Sequence, residues 1–245
     1  MPALSVSLDM IGVLREAGSQ KEPDPAQAAV LVELAGADGL SVQLRRDRKY
    51  IRDRDLFILK NITKTKLGVE IPPIEEILDR TIEIKPHSAT IVAETTDSDS
   101  PVATVDLHSG EFDYNELVSR FNGSGIKTNF LIEPEIEAVK SVAKTGADGV
   151  LLSCLGYADA ADNNEAREEL DRIDRAAQAA SRQGLIVYAG RGLDYKNISP
   201  LVELGYIAEF VIGRAICVRA LFLGLERAVS EMIRAINHGQ PSNPG

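Results

Sequence analysis

Four short stretches of the chain carry side chains whose type and placement could do chemistry. Glu70 stands inside LGVEIPP, a carboxyl group among apolar neighbours, the setting in which such a group is tuned for proton transfer. Asp9 closes the apolar alternation LSVSLD, where it can orient a substrate hydroxyl or pair with an arginine. Arg191 lies between two glycines in VYAGRGLDYKN, and Arg214 follows Gly213 in VIGRA. Glycine lets backbone come close to a ligand, and arginine offers a planar, permanently charged fork for phosphate or carboxylate. The bland alternative is a set of tight turns with solvated arginines. The choice depends on whether the surrounding elements bring these residues together.

Short apolar runs alternate with amphipathic segments along the whole chain. Strands are predicted over 4–9, 39–44, 67–71, 88–94, 127–133, 149–154, 185–189 and 208–213. Helices follow them. One opens at Asp24-Pro25, a cap followed by proline at the first helical position. Another follows RRDRKYIRDRD, with Asp53 or Asp55 as its cap. A third runs from about Asn164 to Gln183 after Asn163, and the last runs as one piece from Ala215 to Ile236. The segment after the first strand reads as a polar loop, and 95–113 as a long loop of the kind that is functional or disordered. AGADGLSVQL and TGADGVLLSC echo each other as helix-to-strand turns of one build. Eight strand-then-helix repeats, without GxGxxG after the first strand, favour a closed α/β barrel, the eight-fold β/α (TIM) barrel, over an open doubly wound sheet. A single domain over 1–238 is expected, with 239–245 a disordered tail by composition.

Composition narrows the partners. The formal net charge is −10, from 37 acidic and 27 basic side chains, so a nucleic-acid partner is disfavoured. No run reaches membrane-span length and the N-terminus lacks a signal-peptide pattern, so no membrane association and a cytoplasmic location are expected. Cys154 and Cys217 sit in apolar runs and read as buried free thiols. The three histidines, His87, His108 and His238, fall in a turn, the long loop and the tail, which supports neither histidine catalysis nor a metal site.

In such a barrel the chemistry gathers at the C-terminal strand ends. Those ends carry Asp9, Gln43 with Arg45 beyond it, Glu70, Glu94, Glu133, Ser153, Arg191 and Gly213-Arg214. The loops after strands seven and eight often hold phosphate in this fold. Here they are Gly190-Arg191-Gly192 and Gly213-Arg214-Ala215, which points to a phosphate site. Glu70 is the candidate acid/base, with pairing to Arg45 or Arg191 as the purely structural alternative. Asp47, Arg48, Asp53 and Arg54 read as a solvated ion-pair lattice.

Several stretches together resemble the pyridoxine 5′-phosphate synthase family: VSLDMIGVLREAG, PDPAQAAVLVELAGADGLSVQLRRDRKYIRDRD, LGVEI, GYADA, YAGRGLDYKN and GRAICVRALFLGLERAVSEM. The resemblance runs from about Ser5 to Ile236 and implies a β/α barrel with extra helices. It implies condensation of 1-deoxy-D-xylulose 5-phosphate with 3-amino-2-oxopropyl phosphate, closing a pyridine ring without metal or organic cofactor, in a homo-oligomer built from dimers into octamers. By the same resemblance Glu70 is the catalytic glutamate, Asp9 and Arg45 bind substrate, and Gly192 and Gly213 hold phosphate. The chain departs from the family where histidines are expected. Gln43 stands for the proton-transferring histidine of strand two, Arg191 for the one after strand seven, Arg214 for the one in the strand-eight phosphate loop, and Tyr50 for a substrate-contacting one. Glutamine and arginine do not titrate near neutral pH. The expectation is therefore a relative retuned to a phosphorylated or carboxylated metabolite, with the synthase itself and a non-catalytic binding barrel as alternatives.

Overall fold

A computed structural model describes residues 1–18, 21–93, 103–107, 110 and 112–238. Eight parallel strands close on themselves: β1 (Ala3–Ser7), β2 (Gly39–Gln43), β3 (Lys66–Ile71), β4 (Ser88–Ile91), β5 (Lys127–Ile132), β6 (Gly149–Ser153), β7 (Ile186–Gly190) and β8 (Glu209–Ile212). β8 returns to β1 with Ala3 opposite Glu209, so the sheet has no edge. The helices around it are α1 (Asp9–Ala17), α2 (Pro25–Leu34), α3 (Asp53–Ile62), α4 (Glu75–Ile84), α5 (Tyr114–Gly123), α6 (Ile136–Lys144), α7 (Leu155–Ala158), α8 (Asn163–Arg182), α9 (Ile198–Glu203), α10 (Arg214–Leu223) and α11 (Leu225–His238). This is the expected eight-fold β/α barrel, with additional helices α1, α7 and α11. Among the described residues no helix is long and apolar enough to cross a membrane.

The main core lies between barrel and helices, where outward residues such as Leu4, Val6, Leu40, Val42, Val69 and Val150 are buried against the helices' apolar faces. The two Gly-Ala-Asp-Gly turns share one device. Gly36 and Gly146 adopt left-handed backbone with φ of 96° and 78°, which ends the preceding helix. The aspartate two residues on then pairs with the neighbouring strand in both directions. Leu4 N donates to Asp38 Oδ2 at 2.9 Å while Asp38 N donates to Leu4 O, and Thr128 N donates to Asp148 Oδ2 at 2.8 Å while Asp148 N donates to Thr128 O. These pairings fix where β2 and β6 enter the barrel.

The structure corrects four expectations. The supposed polar loop after β1 contains α1, which begins straight from the strand at Leu8 without a side-chain cap and so shows no start signal. β4 ends at Ile91 rather than residue 94, because Ala93 N donates to Ala103 O and the chain pairs with the returning loop instead of β5. Of the 95–113 loop only part is described, and there Val105 N donates to Leu131 O. Glu94, His108 and the 239–245 tail lie outside the described residues. The cap of α8 is Asp162, whose side chain accepts from Asn164 N and Glu165 N, one residue before the expected Asn163. The final helix is broken at Gly224, φ 82°, into α10 and α11. For α3 the carboxylate that satisfies the start is Asp55, accepting from Arg52 N at 3.0 Å.

Candidate functional site

Glu70 is nearly the last residue of β3, beside Gln43 of β2, and only 3% of it is exposed. Its partner is Arg191, 121 positions away, whose Nη2 donates to Glu70 Oε2 at 2.5 Å. The pairing to arginine is therefore real. It does not exclude a chemical role, because the arginine comes from the proposed phosphate loop. Arg191 is held in left-handed backbone, φ 73°, which a non-glycine residue adopts at a cost of about 1 kcal/mol or more. Its Nε is buried with no partner among the described residues. Backbone strain and an orphaned donor thus fall on the same arginine at a strand end.

Asp9 opens α1 just beyond β1 and meets the same pair. Ser7 Oγ donates to Asp9 Oδ2 at 2.8 Å, and Gln43 N donates to Asp9 Oδ1 at 2.7 Å. Burial, reinforced by the negative charge of Glu70, pushes its pKa up to about 6 against the pull of Gln43 N, Ser7 and Arg191. Two carboxyl groups and one guanidinium thus share one end of the barrel. Gln43 contributes its backbone amide to this cluster, a role its side-chain type does not suggest.

The two glycine turns are shaped by close approach. A Cβ on Gly192, φ 70°, would stand 2.4 Å from Ala158 Cβ of α7. A Cβ on Gly213 would stand 2.8 Å from Ser7 Cβ. The rest of GRGLDYKN fixes the first turn: Asp194 accepts from Lys196 N and Asn197 N, and Asn197 Nδ2 donates to Gly192 O at 3.0 Å. Gly213 precedes α10, whose first-turn amides have no helical acceptor, a setting that favours negative charge. Arg214 is the first residue of that helix and is exposed. Gly213, through Ser7, lies against the Asp9 cluster, so both turns and the acid groups are at one mouth.

Arg45 and Tyr50 occupy the loop after β2. Arg45 is 8% exposed, makes a bidentate pair with Asp47 at 3.0 and 3.1 Å, and stacks over the Tyr50 ring at 5.9 Å. Tyr50 itself has φ 73°. Arg48 on Asp53 and Glu76, and Arg80 on Asp53, form part of the expected ion-pair lattice, whereas Arg54 is exposed and joins no ion pair among the described residues. Glu133 is exposed and accepts from Thr104. Both cysteines are buried and free, and burial pushes the Cys154 thiol up to about 12, which makes it a poor nucleophile.

Two features escaped the sequence reading. Arg15 of α1 grips Asp55 with two bonds, at 3.0 and 2.6 Å, and also donates to Tyr50 O at 2.6 Å, anchoring the Arg45–Tyr50 loop. Nothing in the spacing of 15 and 55 announces it. The barrel interior is also polar: Ser5, Ser41, Thr90, Asn129, Tyr188 and Glu209 line a cavity of about 30 Å³, and Ser5 Oγ donates to Glu209. Here a signal was present, since Ser5, Ser7, Ser41 and Gln43 alternate in strands that a wholly apolar parallel sheet would fill with Val, Ile and Leu.

Fold and mouth together define a β/α-barrel protein with acid groups and arginine gathered at the C-terminal end of its strands. Residues 4–238 match the family described as pyridoxal phosphate biosynthesis protein PdxJ, and the chain belongs to that family. Membership places it among biosynthetic enzymes. It is 37% identical to the pyridoxine 5′-phosphate synthase of Pelobacter propionicus, over 97% of this chain and 100% of that one. It is 38% identical to the enzyme of the same name from Synechococcus sp., over 96% and 99% of the two chains. Among solved structures, phosphoribosyl anthranilate isomerase from Thermus thermophilus superposes with a TM-score of 0.60 at 14% identity, over 97% of this chain and 100% of that one, a likeness of fold alone.

Proposed function

We propose that the chain is a pyridoxine 5′-phosphate synthase-like enzyme that catalyses condensation or ring closure on a phosphorylated, or carboxylated, keto substrate, with Glu70 as acid/base. One observation carries the reading: Glu70 is bonded to Arg191 and crowded by Asp9 beneath the two glycine turns. An incoming phosphate would lie against the α10 amides, Gly192 and Arg214. It would compete with Glu70 for the Arg191 guanidinium, leaving the Glu70 carboxylate free to take a proton from the substrate. Asp9 supplies a second proton carrier, because a group with a pKa of about 6 exchanges protons readily near neutral pH. Glu70 and Asp9 would then do the work that the family's histidines do where Gln43, Arg191 and Arg214 stand here. Arg45 and Tyr50, on the loop tied down by Arg15, would contact the remainder of the substrate.

Identity of 37% along the full length favours a second reading on the same site, that the reaction is pyridoxine 5′-phosphate synthesis itself with this rearranged acid–base set. A cytoplasmic homo-oligomer accompanies either reading. The support is two free buried thiols, and large exposed apolar side chains on the helices, Leu34 at 72%, Phe57 at 60%, Leu221 at 67% and Phe222 at 83%, which suit a protein partner.

The test is incubation with 1-deoxy-D-xylulose 5-phosphate and 3-amino-2-oxopropyl phosphate, then with other phosphorylated keto compounds and amines, followed by the absorbance of an aromatic product. Glu70→Gln should abolish turnover yet keep the rise in melting temperature that a phosphorylated substrate gives. Full activity in Glu70→Gln would remove the assigned role. A phosphorylated metabolite that stabilises the protein without any turnover would make it a binding barrel instead.

A further inference from the structure

We propose that the opposite, N-terminal end of the barrel holds a second anion site, built for a compact phosphate-type polyanion. A groove of about 360 Å³ opens there, within the size range of small-molecule sites, roughly 300–1,000 Å³. Lys60, Thr63, Thr65, Lys85, His87 and Lys127 are among its lining residues. The chain carries 37 acidic against 27 basic side chains, so a cluster of cations runs against its average charge. Among the described residues Lys60, Lys85 and Lys127 have no ion-pair partner, as is true of most of the chain's lysines; what sets these three apart is that they line one groove. Three unpaired cations converge on one concavity against the protein's average charge.

The carbonyl ends of α3 and α4 attract positive charge and account for Lys60 and Lys85 in part. They do not account for Lys127, which begins a strand. Lys85 is placed by a left-handed backbone, φ 52°, that only a few per cent of non-glycine residues adopt. His87 reports the field: partial burial and the charges of Lys127, Lys66 and Lys60 lower its pKa, and Glu209 opposes them.

This site is separate from the mouth that holds Glu70. Lys66 and Glu70 are four residues apart on β3, which spans about 13 Å. Between them Lys66 pairs with Glu209 at 3.5 Å. Three lysines suit an anion with several oxygens and at least two charges, hence pyrophosphate as the probe.

Calorimetric titration of the whole protein with pyrophosphate should show two classes of site. Lys85→Ala/Lys127→Ala should weaken one class roughly tenfold or more while turnover persists, and Arg214→Ala should weaken the other. In the wild-type protein the His87 imidazole resonances should move on titration and His87 should become harder to deprotonate, as an anion replaces unbalanced cations around it. The proposal is overturned if those resonances stay fixed at saturating pyrophosphate, or if the double variant binds pyrophosphate as the wild type does. The imidazole measurement decides the matter even if the double variant folds poorly.

Discussion

Replacing Asp9 by asparagine should flatten the dependence of stability on pH. Asp9 has its pKa raised from 3.8 to about 6 by burial and by Glu70. The folded state therefore binds this proton more tightly than the unfolded chain does. The stabilising contribution is complete below the unfolded pKa and is lost as pH rises through about 6. Between about pH 4.5 and pH 7.5 the linkage integral for such a shift is about 2 kcal/mol, and partial exposure of the carboxyl reduces it to roughly 1–2 kcal/mol. Asp47 and Glu33 have lowered pKa values, because Arg45 bonds the first and Thr65 and Lys64 donate to the second, so they titrate with the opposite sign. They are common to both proteins and cancel in the comparison. Asparagine keeps the Oδ1 acceptor for Gln43 N, and its amide can donate to a rotated Ser7 hydroxyl, so the fold should survive. Urea unfolding across this pH range should show the wild type gaining about 1–2 kcal/mol more on acidification than Asp9→Asn. The limb near pH 6 in the pH profile of kcat/KM should also vanish in the variant. Parallel stability curves for the two proteins would refute the claim that Asp9 and Glu70 are forced together.

Other perturbations probe the rest of the site. Arg191→Ala leaves Glu70, only 3% exposed, without its counter-charge, and should lower the unfolding free energy by about 2–4 kcal/mol. The same variant should weaken a phosphorylated ligand markedly more than its dephosphorylated analogue, and equal weakening would remove Arg191 from the anion site. Gly192→Ala combines a left-handed φ of 70° with a contact of 2.4 Å to Ala158 Cβ, so thermal unfolding should show a loss of about 2 kcal/mol or more, with phosphate affinity falling alongside it. Arg15→Met strands the buried Asp55 carboxylate and should cost about 3–5 kcal/mol by denaturant titration, and it should raise KM through the released Tyr50 loop.

Much of the barrel could be read along the chain because its strands and most of its helices carry local signals. Apolar runs end in Gly-Ala-Asp-Gly turns, Asp24-Pro25 opens α2, and the strand-then-helix repeat recurs eight times. Where local signals fail, so did the reading. α1 starts without a cap, and the β4 end depends on whether Ala93 pairs with β5 or with the returning loop. Of the proposed site residues, the sequence picked out Asp9, Glu70, Arg191, Gly192, Gly213 and Arg214 by their place at strand ends, since alternation and turn chemistry are properties of neighbours in the chain.

Side-chain partnership was beyond it. That Arg191 bonds Glu70 rather than Arg45 doing so, that Gln43 serves Asp9 through its backbone amide, and that Arg15 holds the Tyr50 loop through Asp55 are outcomes of barrel closure. The same is true of the lysines that meet beneath β3, β4 and β5. The physical reason is one of range. Propensity and periodicity act over a turn of helix or a few residues of strand, whereas a charge pair or a raised pKa depends on groups tens to hundreds of positions apart being held within a few ångströms and away from water. The sequence by itself determined which polar residues stand near most strand ends; only the closed sheet decided where β4 stops and which of those residues touch.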